Sequence, residues 1–232
     1  MKASKKRLLH FTGLSNEVFE LIRFELNMFF VRLNSKINPL KIQKIKKYSK
    51  LDNIKLNVGA GPFGEEGWLN IDMFKYKNIS FTNDCRKKLP LVNNTVSIIR
   101  CEHVLEHMDK EYEAKVFLKE CFRVIKSGGV IRIVVPDIEK FVKAYYEKDW
   151  KSVGINYELK DNLQEADVLT HIFRQGGEHK YGYDYNALSY LLAESGFLKI
   201  EKKAFGVSLN SELERDQVNH KEHSLYVEAI KP

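Results

Sequence analysis

Short runs of alternating apolar and polar residues occur at several points along the chain, as expected for half-buried strands. Leu56 and Val58 define the first run, and a second run through Leu69 and Ile71 ends at Asp72. Similar runs predict further strands over residues 80–84, 96–101, 130–135, 198–204 and 224–230.

Apolar residues also recur at helical spacing between these strands. Asp109 is a plausible N-cap for a helix that should stop at residues 127–129, where a serine and two glycines follow one another. Two more helices are predicted over 138–150 and 185–195. Residues 151–178 lack a clear period and predict an insertion over the sheet edge, where its loops would shape a substrate site. These elements predict one α/β domain with a mostly parallel sheet.

The N-terminal part of the chain predicts an amphipathic helix over 15–33, with apolar residues near helical spacing and polar residues opposite. The apolar run 28–31 is too short to span a membrane, which takes about 20 residues. Two interpretations remain open. The helix covers the core or forms a homodimer contact, or it attaches peripherally to an anionic membrane surface.

Charge divides the chain into two regions. Residues 1–50 hold 12 of the 38 basic residues and three of the 31 acidic ones, a net charge of +9, so residues 51–232 carry −2. The second region is too acidic for a nucleic-acid groove. We therefore expect a basic helical extension over 1–50 and one domain over 51–232, with the substrate-shaping insertion at about 151–184. Three unpaired cysteines indicate a cytoplasmic protein with reduced thiols; they are Cys85, Cys101 and Cys121.

A glycine turn joins the first two strands. Gly59 and Gly61 permit a sharp bend with no side chain between backbone and ligand, and Asp72 could accept hydrogen bonds from both ribose hydroxyls. A dinucleotide fold needs a third glycine, but Phe63 stands there, and the six residues 62–67 leave no room for a crossover helix. A nucleoside without phosphates, such as S-adenosyl-L-methionine (SAM), suits this turn better.

With these features the chain resembles the class I SAM-dependent methyltransferases, in particular the small bacterial methyltransferase type 11-like proteins associated with surface-polysaccharide genes. The resemblance runs from Lys55 to Lys231 and implies a Rossmann-like, mostly parallel seven-stranded sheet closed by an antiparallel C-terminal hairpin. It rests on an ordered set of blocks, namely 57–62, 67–72, 84–90, 101–107, 123–137, 179–184 and 196–197.

The resemblance also implies cofactor contacts. Gly59 to Gly61 would pass the methionine part of SAM, Asp72 would hold the ribose, and Asp84 with the Cys85 amide would hold the adenine. Asn57 departs from the acidic residue more usual in the family. The full set of expected cofactor-binding residues is Asn57, Gly59, Ala60, Gly61, Asp72, Asp84, Cys85 and Glu102.

The segment from His103 to His107 matches H-x-x-E-H, a zinc peptidase pattern in which Glu106 would activate water. Its place directly after the fourth strand favours another interpretation, because the resemblance expects a histidine-rich turn there. Structural capping, or a substrate-facing role for His103 or Glu102, would account for it. We expect no metal ligands.

Methyl transfer needs alignment of nucleophile, methyl and sulfur, and a base when the acceptor is a hydroxyl. His179 precedes the late helix, and Asp184 could orient its imidazole. Alternatively, Asp184 only caps the helix and His179 is a surface residue. The candidate catalytic residues are His103, His179 and Asp184.

The function expected from these features is O-methylation, with SAM as donor and S-adenosyl-L-homocysteine (SAH) as product, of a sugar in a bacterial surface polysaccharide or its precursor. A small lipid-soluble acceptor such as a quinone is an alternative. Two further rivals are a zinc hydrolase that uses His103, Glu106 and His107, and a binding protein whose residues 1–50 dock on membrane or nucleic acid. The expected location is the cytoplasm, with peripheral contact at the inner face of the membrane through residues 1–50.

Overall fold

A seven-stranded sheet forms the centre of the protein, seen in a computed structural model that describes residues 13–156 and 164–232. The first 12 residues of the predicted extension, and residues 157–163 of the predicted insertion, lie outside the described ranges. The strands are β1 (Ile54–Val58), β2 (Leu69–Asp72), β3 (Phe81–Thr82), β4 (Val96–Glu102), β5 (Ile125–Pro136), β6 (Leu198–Lys203) and β7 (Ser224–Ile230).

The order of the strands is β3-β2-β1-β4-β5-β7-β6. Strands β1 to β5 run parallel, whereas β7 pairs antiparallel with both β5 and β6. The sequence-based expectation of a Rossmann-like, mostly parallel sheet with an antiparallel C-terminal hairpin is therefore confirmed. The order reverses between β1 and β4, which opens a crevice at the carboxyl ends of these two strands, the usual ligand position in such sheets.

Six α-helices lie in the described ranges. They are α1 (Asn16–Ile37), α2 (Pro39–Tyr48), α3 (Lys115–Val124), α4 (Ile138–Glu147), α5 (Glu165–Arg174) and α6 (Tyr185–Glu194).

The N-terminal segment forms two helices where the sequence pattern predicted one. The Ser15 side chain caps α1 by accepting from the Val18 amide. Asn38 has extended backbone that ends α1, and its side chain accepts from the Leu40 and Lys41 amides to cap α2. One asparagine thus produces both the break and the restart. Within the described ranges, no helix is both long enough and apolar enough to cross a membrane.

Two other boundaries differ from the sequence pattern. Asp109 is the N-cap as expected, but it caps a π-helical turn over Lys110–Ala114 that leads into α3. Helix α3 ends at Val124, before the serine and glycines, because strand β5 already begins at Ile125.

Part of the insertion is helical, although its sequence has weak periodicity. Val168 on α5 is buried with Phe141 of α4 and with Trp150, in a small apolar cluster separate from the main core. Helix α4 stops at Glu147, earlier than predicted, because Lys148 adopts left-handed backbone. This cluster fixes the insertion beside the ends of β4 and β5.

The two faces of the sheet are covered differently. Alternate strand residues such as Leu56, Ile99 and Ile133 enter the main core, which they share with apolar residues of α3 and α6. The other face carries polar residues and is covered by the segment 204–223. On that face the Arg132 guanidinium bonds Asp216 (Nε to Oδ1, 2.8 Å) and Glu228 (Nη1 to Oε1, 2.8 Å), and all three side chains are fully buried.

We expect loss of one partner in this buried cluster to destabilise the fold strongly, because an unpaired charge would remain inside. Asp216→Ala should lower the free energy of unfolding by about 3–5 kcal/mol, measured by urea denaturation. Glu212→Ala, on the same segment, removes a half-exposed 3.2 Å pair with Lys55 and should cost no more than about 1 kcal/mol. Equal losses in the two variants would contradict this account.

Candidate cofactor and acceptor site

The chain bends sharply after β1. Gly59 has φ +69°, and the Gly59 and Ala60 amides both donate to the Ile71 carbonyl at 2.9 and 3.2 Å. A Cβ on Gly59 would lie 2.0 Å from Cγ2 of Val104, so glycine is required there for packing as well as for conformation. Gly61 has φ +51°, and a Cβ there would meet no atom within 4 Å. Open space therefore lies in front of Gly61.

Asp72 lies beside this space at the end of β2. Its Oδ2 accepts from the Gly61 amide at 2.9 Å, and its Oδ1 accepts from the Phe74 amide at 2.7 Å. Burial raises the pKa of Asp72, and the backbone hydrogen bonds only partly offset this effect. Each carboxylate oxygen keeps an acceptor position for a further donor.

These features fit the ribose and methionine parts of SAM. Two ribose hydroxyls would supply the missing donors to Asp72, and the backbone of Gly61 leaves the cleft open for the chain of the cofactor. Of the predicted cofactor-binding residues, Gly59, Ala60, Gly61 and Asp72 lie together in this arrangement.

Asp84 has a different environment from the one its predicted role requires. Arg86 donates to both of its oxygens, from Nε at 2.9 Å and from Nη2 at 3.1 Å, and Arg32 adds a third side-chain bond at 2.5 Å. Burial alone raises the pKa of Asp84, but the two arginines outweigh it and hold the pKa below its ordinary value. With the Arg86 amide also bonded to Oδ1, all four acceptor positions are filled. An adenine amino group could reach this carboxylate only after Arg32 withdraws.

Helix α1 lies across this edge of the sheet, a position more specific than the cover of the core that the sequence pattern suggested. The Glu25 carboxylate accepts a hydrogen bond from Nη1 of Arg86 at 2.5 Å. The ring centroids of Phe24 and Phe74 are 6.4 Å apart, and Phe74 lies two residues after Asp72. At its start, Glu17 accepts from Arg174 of the insertion at 3.0 Å. The helix thus connects the β3 side with the insertion. The one local sequence signal for the pairing of Asp84 was the presence of Arg86 two residues later.

Three predicted cofactor residues have structural partners. Asn57 donates to Asn70 at 3.2 Å on the polar face of the sheet. Glu102 accepts from His220 at 3.0 Å and from the Gln217 amide, and so holds the covering segment. Cys85 is buried, and burial raises the pKa of its thiol. Whether the Cys85 amide contacts adenine stays a prediction.

His103 follows β4 and has φ +53°, which is uncommon for a residue with a side chain. Its Nε2 lies 2.8 Å from Oγ of Ser224, and its Nδ1 lies 3.2 Å from Oε1 of Glu106. The rings of His103 and His220 are 3.8 Å apart. A buried carboxylate beside Nδ1 is suited to orienting an imidazole and stabilising its charged form.

His179 lies on the far side of Glu106, in a small cavity that Glu106 also lines. Its Nδ1 is 2.6 Å from the Ile172 carbonyl, and burial lowers its pKa, so the ring is neutral at pH 7. The ring of His107 is 4.9 Å away, with Nδ1 3.1 Å from the Glu178 carbonyl.

Asp184 caps α6 by accepting from the Ala187 amide at 2.7 Å. The group that orients the His179 ring in the structure is the Ile172 carbonyl, which replaces the partner that the sequence interpretation assigned.

Among the described residues, the group able to hold a metal ion consists of Glu106, His107 and His179, with ligand atoms within 4.8 Å of one another. His103 is outside this group. Leu105–His107 is a three-residue 3₁₀ turn, so the helix that the H-x-x-E-H pattern requires does not form there.

Two sets of candidate residues thus meet at one edge of the sheet. The cofactor set lies at the ends of β1 and β2, and the histidine set lies at the end of β4 and on the insertion. The close packing of Gly59 against Val104 joins them, since Val104 directly follows His103.

Comparison with known proteins gives one family model and several solved structures that are similar to this chain. A family model described as a methyltransferase domain matches residues 71–133. A SAM-dependent methyltransferase from Thermotoga maritima is 16% identical, with 93% of this chain and 96% of that chain covered at a TM-score of 0.48. One from Archaeoglobus fulgidus is 12% identical, with coverage of 88% and 100% and a TM-score of 0.46.

Phosphoethanolamine N-methyltransferase 2 from Haemonchus contortus, in complex with SAM, is 12% identical with a TM-score of 0.46. The alignment covers 82% of this chain but spans only about half (52%) of the Haemonchus enzyme. A search of curated proteins gives no match. These structural likenesses are too distant to carry an argument about the reaction. The match over residues 71–133 and the Rossmann-like strand order support a methyltransferase with S-adenosyl-L-methionine as its cofactor.

Proposed function

We propose that this protein transfers the methyl group of SAM to a hydroxyl of a sugar in a bacterial surface polysaccharide or its precursor. The observation that carries the donor side is the open space before Gly61, bordered by the incompletely satisfied carboxylate of Asp72. When bound there, SAM supplies an electrophilic methyl group. The protein contributes position, a base and exclusion of water.

The cofactor-binding roles follow from the geometry. Asp72 would accept from the ribose hydroxyls, and the backbone of Gly59, Ala60 and Gly61 would pass the methionine part. Gly59 packs against Val104, which directly follows His103. The transferable methyl group of SAM bound at this bend would therefore lie on the side of His103. Asp84, paired with Arg32 and Arg86, would border the adenine, and Asp72 would remain the main contact of the cofactor.

We assign the base role to His103, whose Nε2 would exchange its contact with Oγ of Ser224 for the acceptor hydroxyl. Glu106, almost completely buried, lies 3.2 Å from Nδ1, so a proton taken up by the imidazole would be stabilised by a fixed negative charge. Burial alone would raise the pKa of Glu106, but His103 and His107 outweigh it and leave the pKa below its ordinary value. The carboxylate is therefore ionised at pH 7. His179 and the cavity it lines would contact the acceptor.

A hydroxylated acceptor is supported by the base and by the polar groups of the cavity. Nucleic acid is disfavoured by the net charge of −2 over residues 51–232. The second candidate is a lipid-soluble quinol, favoured by the apolar wall that Phe141, Ile172 and Phe173 give the same cavity. Peripheral membrane contact through residues 1–50 would serve either acceptor and stays a prediction. Apolar residues exposed along α1 agree with it; they include Leu21, Leu26, Phe29 and Phe30.

A pair of glycine variants tests the cofactor site. Gly61→Ala should weaken SAH binding at least about tenfold in isothermal titration, because the methyl group enters the cleft, with a stability cost of only about 1–2 kcal/mol from the left-handed backbone. Gly128→Ala is the matched control: it has φ +76° and equally open surroundings at the other end of the sheet, and it should lose similar stability but keep full SAH affinity. Equal SAH affinity in the two variants would argue against the site.

An assay with nucleotide-linked sugars and a prenylated quinol tests the reaction. We expect SAH formation with the sugars, and a fall in kcat of about 10²-fold or more in His103→Asn, because the base is lost. Asp72→Ala should lose SAH affinity, whereas His103→Asn should keep it. His171→Asn, on exposed α5, is the control with unchanged rate. Transfer to the quinol alone would support the second candidate, and transfer to neither would refute O-methylation of these acceptor classes.

A further inference from the structure

A cluster of one carboxylate and two imidazoles connects the β4 turn to the insertion. Glu106 and His107 belong to the turn, and His179 lies 72 residues later in the chain. Two imidazoles with one carboxylate form the ligand set of many zinc centres that keep one position open. Ligand atoms within 4.8 Å of one another can converge on a single ion with small side-chain rotations.

The tautomers of both histidines are fixed by backbone carbonyls. A carbonyl only accepts, so Nδ1 of His179 must donate to Ile172 at 2.6 Å, and Nδ1 of His107 must donate to Glu178 at 3.1 Å. In its neutral form, each ring therefore carries its lone pair on Nε2. This second contact, an N–H given to a carbonyl, is how metal-binding histidines are normally oriented.

The carboxylate of Glu106 points independently to a ligand. Its side chain is 2% exposed, and neither oxygen has a hydrogen bond of good geometry to another residue of the described ranges. Nδ1 of His103 lies 3.2 Å from Oε1, as an electrostatic contact without hydrogen-bond alignment, and Oε2 has no hydrogen-bond partner among the described residues. A buried carboxylate whose oxygens lack hydrogen bonds costs free energy unless a cation or donor completes its surroundings.

We propose that Glu106, His107 and His179 bind one divalent transition-metal ion of the Zn²⁺ class. The ion would tie the insertion to the turn after β4. Its open position would face the cavity that Pro136, Ile138 and Phe173 line beside Glu106 and His179. This proposal departs from the expectation, drawn from the sequence, that the chain has no metal ligands, and it replaces His103 by His179 in the ligand set. It does not depend on which acceptor is methylated.

The test is Co²⁺ and Zn²⁺ binding to the full-length, chelator-treated protein. We expect one equivalent of Co²⁺, seen by its visible absorption bands and displaced by Zn²⁺. His107→Ala and His179→Ala should each weaken metal affinity at least about tenfold, since loss of a ligand costs no less than loss of its supporting contact. Glu106→Gln keeps the side-chain volume and should weaken metal binding while circular dichroism stays unchanged.

His103→Ala and His223→Ala are the matched controls, because both remove a nearby imidazole from outside the proposed set, and both should keep the affinity. SAH affinity, measured in parallel, separates failure of this site from failure of the cofactor site. The metal site would be refuted by less than stoichiometric binding to the wild type, or by unchanged affinity in His179→Ala. The site would also be refuted if His103→Ala lost as much metal affinity as His179→Ala, or if Glu106→Gln kept full metal affinity.

Discussion

Left-handed backbone at the ends of two neighbouring parallel strands determines the geometry of the site. Gly59 after β1 and His103 after β4 both have positive φ, and the position of Gly59 against Val104 leaves no room for a side chain. This contact packs the bend after β1 against Val104, the residue that directly follows His103. The proposed donor and acceptor sides would therefore be held relative to each other by strand ends and backbone, which are more rigid than loops.

Charged groups hold the surroundings of this edge in place. Arg32 and Arg86 converge on Asp84 and fasten α1 across the β3 side, while Glu106 lies between His103 and the histidines of the turn and insertion. On the opposite face of the sheet, Arg132 pairs with Asp216 and Glu228 and so ties the covering segment 204–223 to the strands. Each cluster joins segments that are distant in sequence, so the site depends on the complete fold.

The sequence predicted the parts of the fold that depend on local patterns. Alternation located β1 and β2, and the two glycines with Asp72 located the bend and its carboxylate. Long-range pairs were not predictable, because nothing near Arg32 indicates Asp84, 52 positions away, and nothing near His107 indicates His179. The sequence pattern did not predict helix α5, because its few apolar residues pack in a small cluster that is separate from the main core. Asp184 and Glu102 were identified as candidate site residues, but Asp184 caps α6 and Glu102 holds the covering segment.

The most direct measurement of the central claim is a crystal structure of the protein with SAH. The account predicts the ribose hydroxyls within about 2.6–3.2 Å of the Asp72 carboxylate oxygens. It also predicts the sulfur beside the bend at Gly59 to Gly61, on the side that faces His103. Density for SAH elsewhere on the protein, or a ribose held by another residue while Asp72 keeps only its backbone partners, would contradict it.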